Sequence, residues 1–232
     1  MSEIKIIRTR PEHLPACAEL QRICFPTLAP EEHLTEAHIA NHLSLFPEGQ
    51  FVAIDPDDGR VVGMTAGFRT HFDFHHTQGH TFLRAISNGW FWRHNPHGSH
   101  YYGADMSVHP DYRGRGIARG FHDARKALCK QLGLRGQAVC GMIPGYAAYR
   151  NVMSAFDYVN LVLAGAIYDS TLTTQMRNGF VVRGLVANYV QDPPTRGWAT
   201  MLEWRNPDYV ETRAHVMTPG AARYASLGGH IW

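Results

Sequence analysis

Between residues 101 and 142 the chain reads as strand, glycine turn, helix and strand, and this order constrains everything around it. YYGADMSV (101–108) is strand-like, and His109-Pro110-Asp111 breaks it. From Gly116 to Leu132, apolar residues fall at Ile117, Phe121, Ala124, Leu128 and Leu132, the spacing of a one-faced helix, with Gly133 suited to its C-cap. GQAVCGM (136–142) is a second strand, and Pro144-Gly145 closes the unit. The turn itself carries Arg113-Gly114-Arg115-Gly116. The first turn of a helix points N–H groups outward that have no partner within the helix, and the helix dipole adds partial positive charge there. Glycine lets the main chain approach a bulky anion, and arginine adds a permanently charged fork of donors. A pyrophosphate is the natural guest.

Three phosphate-binding readings compete for this turn. A P-loop needs G-x-x-x-x-G-K-[ST], and no lysine follows these glycines. A dinucleotide fingerprint needs G-x-G-x-x-G with an acid about 20 residues on. Here Gly114, Gly116 and Gly120 give G-x-G-x-x-x-G, and no acid stands near Val139. The third reading is an acyl-CoA turn, taken up below. The structural alternative is an ordinary glycine-rich turn with solvated arginines.

The flanking segments are as patterned. EIKIIRT (3–9) suggests a first strand, and Pro11 opens a helix with Leu14, Cys17, Ala18, Leu20 and Ile23 on one face. A second helix is expected from Glu31 to about Phe46. FVAID (51–55) and RVVGMTAGF (60–68) form a hairpin about the turn Pro56-Asp57-Asp58-Gly59. Residues 71–100 are rich in His and aromatics, with a short helix expected over Phe82–Ser87; a loop this long inside a compact domain is either functional or wrongly assigned. Residues 151–177 read as mostly helical, Asp169-Ser170-Thr171 starting a new helix. GFVVRGLVANYV (179–190) and WATMLEWR (198–205) are the last strands.

At 232 residues with no internal repeat and no linker, one elaborated domain is expected over 1–206, with 207–232 a tail that packs on the domain or on a partner subunit. Apolar residues at 44% and charged residues at 18% supply a core and exclude a disordered chain. A formal charge of +2 argues against nucleic acid as a partner. The N-terminus has no signal-peptide pattern and no apolar run reaches a membrane span, so a cytoplasmic protein with no membrane partner is expected. Cys17, Cys24, Cys129 and Cys140 form no C-x-x-C pair and read as buried thiols.

VHPDYRGRGIAR (108–119) resembles the acyl-CoA fingerprint [QR]-x-x-G-x-[GA] of the GNAT superfamily of N-acyltransferases. Asp111 stands at the Gln/Arg position, a departure from the strict pattern. The resemblance covers most of the chain. CFPTLAPEEHLTEAHIANHLSLFPEGQFVA, IPGY (143–146) and YDSTLTTQMRNGF are similar to GNAT domains fused to carbon–nitrogen hydrolases in bacteria. No hydrolase half is found in these 232 residues, so no hydrolase activity is expected.

The resemblance implies an α/β (α+β) fold, a mixed and mostly antiparallel sheet of about 6–7 strands with helices on both faces. It implies transfer of an acetyl group from acetyl-CoA, as co-substrate, to a small-molecule or peptide amine by direct attack, without an acyl-enzyme. Met106 and Val108 would offer main-chain groups to pantetheine, and Arg113, Gly114, Arg115, Gly116, Ile117 and Ala118 would hold the pyrophosphate. An N–H near Met106 would steady the oxyanion. Cys129 and Cys140 would be core residues, and family habit suggests a homodimer.

Asp105, the one acid of strand 101–108, is the candidate base, its side chain alternating away from Met106 and Val108; a structural hydrogen bond is the other reading. Tyr102, His100 and a His from 71–80 are alternatives. The family often places a tyrosine acid four residues before the Gly-Phe pair, where this chain has Gln175. Tyr146 is the candidate substitute and Tyr149 a second, against simple aromatic packing for both. The histidines at 71, 75, 76, 80, 94, 97 and 100 match no metal motif, and no metal is expected. Trp90-Phe91-Trp92 could line an acceptor pocket, cap the core or meet a subunit. Two rival functions stay open: an acyl-CoA-sensing domain without turnover, and a dinucleotide-binding oxidoreductase.

Overall fold

The computed structural model describes residues 3–211. The elements follow in the order β1 (Lys5–Arg8), α1 (Leu14–Cys24), α2 (Glu36–Leu45), β2 (Phe51–Ile54), β3 (Val61–Thr70), α3 (Phe82–Ala85), β4 (His100–Val108), α4 (Ile117–Gln131), β5 (Gly136–Met142), α5 (Ala155–Leu163), α6 (Leu172–Arg177), β6 (Val181–Val186) and β7 (Ala199–Arg205). Among the described residues, seven strands make one sheet in the order β1-β2-β3-β4-β5-β7-β6. All neighbours are antiparallel except β4 and β5, which the α4 crossover forces to be parallel.

Alternation along the strands feeds two cores, one on each face. Phe51, Ala53, Val62 and Tyr101 pack with Ile117, Phe121 and Leu128 of α4 and with α5 and α6. Val52, Met64, Phe68 and Tyr102 pack with Cys17 and Leu20 of α1 and Ile39 of α2. Burying each such side chain contributes roughly 1.5–3 kcal/mol.

Three segments depart from the sequence reading. The second helix begins at Glu36, where Thr35 Oγ1 accepts the His38 N–H at 3.3 Å. The preceding residues, 30–32, form a separate turn because both Glu32 carboxylate oxygens accept the Gln191 N–H at 2.9 Å. β6 stops at Val186, since the Asp192 carboxylate organises the connection to β7, taking bonds from the Thr195 N–H at 3.0 Å and from Thr27 Oγ1 at 2.6 Å. The 71–100 segment holds only one helical turn, because Ser87, Asn88 and Phe91 take positive φ and turn Phe91 into the core against His42.

Of the expected 207–232 tail, residues 207–211 are described and the rest lie outside the described residues. Asp208 pairs with Lys130 at 2.9 Å, and Glu211 pairs with Arg135 at 2.8 Å, so this start of the tail lies against the end of α4 and the start of β5.

Candidate active site

Two irregularities in β4 build the site. The parallel pairing with β5 runs from His100–Gly136 to Gly103–Val139 and stops, although β4 continues to Val108 and β5 to Met142. A cleft of about 680 Å³ fills the opening. On its other side, β4 pairs Gly67 with Gly103 and Ala66 with Asp105, so Ala104 is an extra residue, a bulge. The bulge reverses the alternation. Asp105 turns toward α1, while Met106 and Val108 pack toward α4 and line the cleft. Gly103 is required at the apex, where a Cβ would stand 2.7 Å from Arg125 Nη1 and 2.8 Å from Val139 Cγ1.

The glycine turn closes one end of the cleft. Gly114 and Gly116 have φ of +77° and +79°, and a Cβ on either would point into open space. The α4 ladder begins with the Gly120 N–H donating to the Gly116 carbonyl at 3.0 Å, so the N–H groups of 117–119 precede it without a ladder partner. Gly114, Gly116, Ile117 and Ala118 line the cleft. Arg113 does too, with its Nε donating to the Val108 carbonyl at 3.3 Å. Arg115 is turned away: Nη2 bonds the Asp111 carbonyl at 3.3 Å and the guanidinium lies over Tyr112 at 4.5 Å. Arg119, His122 and Arg125 are the α4 cations and imidazole that reach the cleft wall.

Asp105 lies on the cleft and is only 8% exposed. Gln21 Nε2 donates to its Oδ1 at 3.1 Å, and Ser107 Oγ donates to its two oxygens at 3.2 and 3.1 Å. Burial pushes its pKa up from 3.8 to about 6, against the downward pull of those hydrogen bonds and of the Arg125 charge. A carboxylate poised there can take a proton near neutral pH. Its backbone carbonyl accepts from Arg125 Nη2 and from Thr65 Oγ1 at 2.6 Å.

The structure does not bring Tyr146 to the cleft. Its hydroxyl donates to the Met153 carbonyl at 3.1 Å and its ring packs on Tyr158. The Tyr149 ring packs at a tilt against Tyr158 as well. Gln175 does line the cleft, with Oε1 lacking a partner among the described residues. His100 stays at the closed end of β4, its Nδ1 3.0 Å from Ser99 Oγ. Of the 71–80 histidines, His80 alone meets a candidate partner, Tyr102, at 2.9 Å. Phe91 is core, whereas Trp90 and Trp92 stack on each other with Trp92 70% exposed, away from the cleft wall. Cys17 and Cys129 are buried, but Cys24 and Cys140 are half-buried and line the cleft, a correction to the expected four core thiols. Among the described residues, no group of three His, Cys, Asp or Glu side chains is placed to hold a metal ion. Also among them, no helix is long and apolar enough to cross a membrane.

Sequence reasoning missed Gln21 and Arg125, although both had a visible signal: each is a polar residue on the apolar face of its helix, Arg125 between Phe121 and Leu128. It also missed that Tyr189 lines the cleft, for which there was no signal, since the β6–β7 connection places it.

Residues 14–143 match the sequence profile of the acetyltransferase (GNAT) family. The chain belongs to this family. A GNAT relative in Bacillus subtilis (strain 168), the uncharacterized N-acetyltransferase YkwB, is 33% identical over 191 residues, 82% of this chain and 83% of that protein. The probable hydrolase YhcX of the same organism is 36% identical over 193 residues, 83% of this chain, and the match spans only 36% of the length of YhcX. The structure of the GphF GNAT-like decarboxylase in complex with isobutyryl-CoA superposes with a TM-score of 0.69 over 87% of this chain and 98% of that one, at 19% identity, which shows a shared fold.

Proposed function

We propose that the protein transfers an acetyl group from acetyl-CoA to a primary amine of a small molecule or peptide. One observation carries this reading: β4 and β5 part after Gly103–Val139 around a cleft that joins the glycine turn to the buried Asp105. The N–H groups of 114–118 and the Arg113 side chain take the diphosphate. Met106 and Val108 offer backbone groups to pantetheine, as an added strand would pair. Asp105 removes a proton from the incoming ammonium. The amine nitrogen then bonds the thioester carbon, the carbonyl electrons move to oxygen beside an N–H near Met106, and C–S cleavage releases CoA. The shared fold with a protein holding isobutyryl-CoA supports the choice of donor.

Beyond Asp105, the cleft runs between the α1–α2 link at Phe25 and Leu28 and the β6–β7 connection at Val190 and Asp192, and this is the acceptor end. Calorimetry with CoA, followed by thiol release from acetyl-CoA across a panel of amines, tests the reading. Micromolar binding with release for at least one amine is expected; absence of CoA binding overturns it. A second reading, acyl-CoA sensing without turnover, is favoured by Gln175 at the position of the family's tyrosine acid. It expects thermal stabilisation by acetyl-CoA and no thiol release.

A further inference from the structure

The site leaves the departing thiolate without an acid, since Gln175 carries no hydroxyl proton and Tyr146 lies elsewhere. The opposite wall of the cleft supplies one. Tyr189, in the β6–β7 connection, is 3% exposed and lines the cleft. Its hydroxyl is 3.2 Å from the Tyr102 hydroxyl, and Cys140 lines the cleft with it. Cys140 is the β5 residue next after the last strand pair, so the two residues line the cleft where the strands part. Tyr102 Oη is in turn 2.9 Å from His80 Nε2, and the His80 ring lies parallel to Tyr189 with centroids 5.8 Å apart. The backbone fixes the arrangement as well, the Phe82 N–H donating to the Tyr189 carbonyl at 2.7 Å. The result is a chain of hydroxyl, hydroxyl and imidazole that leads from the cleft to the half-buried His80 in the 71–81 segment.

We propose that Tyr189 gives its hydroxyl proton to the departing CoA thiolate and is recharged through Tyr102 and His80. The assignment rests on the acyl-transfer reading above. As the C–S bond breaks, its electron pair stays on sulfur, and sulfur takes the Tyr189 proton. Tyr189 oxygen takes the Tyr102 proton, Tyr102 oxygen takes the proton on His80 Nε2, and His80 Nδ1 takes one from bulk water, whose hydroxide is neutralised by one of the two protons that Asp105 passes to solvent. Every group ends neutral, so no ion is left in the buried chain. Two protons leave the amine by way of Asp105 and one returns to sulfur, which leaves the single proton that amide formation from an ammonium releases. The surroundings suit a neutral relay: burial raises both tyrosines above their ordinary pKa, and burial with the Arg93 and Arg84 charges lowers His80 to about 4.

The test uses acetyl-CoA with an amine that the wild-type protein acetylates. Tyr189→Phe is expected to lower kcat at least ~10-fold, toward the lower part of the usual acid–base range because a thiolate leaves fairly readily. CoA affinity by calorimetry and KM for acetyl-CoA are expected to stay within twofold. Tyr102→Phe and His80→Gln, which break the relay away from the cleft, are expected to lower kcat ~3-fold or more and to straighten a bowed proton inventory in mixed light and heavy water. A Tyr189→Phe protein that binds CoA normally and keeps kcat within twofold overturns the proposal. If that variant does not fold, Tyr102→Phe decides alone: unchanged kcat with an unchanged proton inventory overturns it. A wild-type protein that binds CoA and acetylates no amine overturns the transfer reading itself, and this assignment with it.

Discussion

Arg125 Nη2 donates to the backbone carbonyl of Asp105, and the same nitrogen reaches the Ala66 carbonyl at 3.0 Å, so the middle of α4 holds both strands at the β4 bulge. The guanidinium is 2% exposed and stands over Tyr101 at 5.3 Å. Arg125→Met keeps most of the volume and removes the donors. Stability should fall by about 1.5–3 kcal/mol, the worth of hydrogen bonds from a charged donor to two buried carbonyls, of which that of Asp105 keeps Thr65 Oγ1. The Arg125 charge also holds the Asp105 pKa down, so the acid limb of the rate profile should move to higher pH. Denaturant unfolding and a pH–rate profile check the two parts.

Asp105→Asn should abolish the rise of kcat/KM with pH through about 6, because the base is gone. Stability should respond in a linked way. The folded-state pKa lies above the unfolded value of 3.8, so the folded protein holds a proton that the unfolded chain has released. That contribution is complete below about pH 4 and is lost as pH rises through about 6. The stability of the Asn variant relative to wild type should therefore grow by about 3 kcal/mol between about pH 3 and pH 7. Urea unfolding of both proteins at several pH values measures it; parallel curves would contradict the buried, raised carboxyl.

Gly116→Val places a branched side chain at φ +79° with open space beyond it. The strain should cost about 1–2 kcal/mol, leaving the fold intact. The added methyls occupy the approach to the 117–119 N–H groups, and CoA should bind at least ~10-fold more weakly, as calorimetry would show. Unchanged affinity would remove the diphosphate from this turn.

Tyr146→Phe should cost about 0.5–1.5 kcal/mol for the lost bond to the Met153 carbonyl. Turnover per folded molecule should stay within twofold, which a thiol-release assay against a chemical melt would separate.

Burial pushes the Cys24 thiol up to about 11, and Cys17 and Cys129 up to about 12. The thiolate is the reactive form, so alkylation by iodoacetamide at pH 7.5 should be slow at all three. Cys24 lines the cleft, and CoA should slow its labelling further, read by mass spectrometry of the modified peptide.

Much of the architecture was legible because its causes are local. The apolar stripe from Ile117 to Leu128 and the paired glycines before it specify a helix with an open first turn whatever the rest of the chain does. The Asp169 carboxylate, which accepts from the Leu172 N–H at 2.8 Å, starts α6 by a cap three residues long. The direction of the Arg115 side chain was not legible, because a turn's composition states which charges are available and not where they point. Its stacking on Tyr112 depends on a rotamer set by neighbours in space. Tyr146 misled for the same reason, since its position after β5 says nothing of the Met153 carbonyl that claims its hydroxyl.

The sequence by itself determined where most strands and helices form, that a glycine–arginine turn opens a helix, and the family to which that turn belongs. Those properties follow from backbone preference and from contacts within one or two turns. Only the tertiary structure decided the bulge at Ala104, the parting of β4 from β5, and hence which face Asp105 takes. It also decided that Gln21, 84 residues away, holds that carboxylate and that the hydroxyls of Tyr189 and Tyr102, 87 residues apart, meet. Such contacts arise from packing sheet against helix and connection, where burial sets protonation and geometry, and no local stretch of chain encodes them alone.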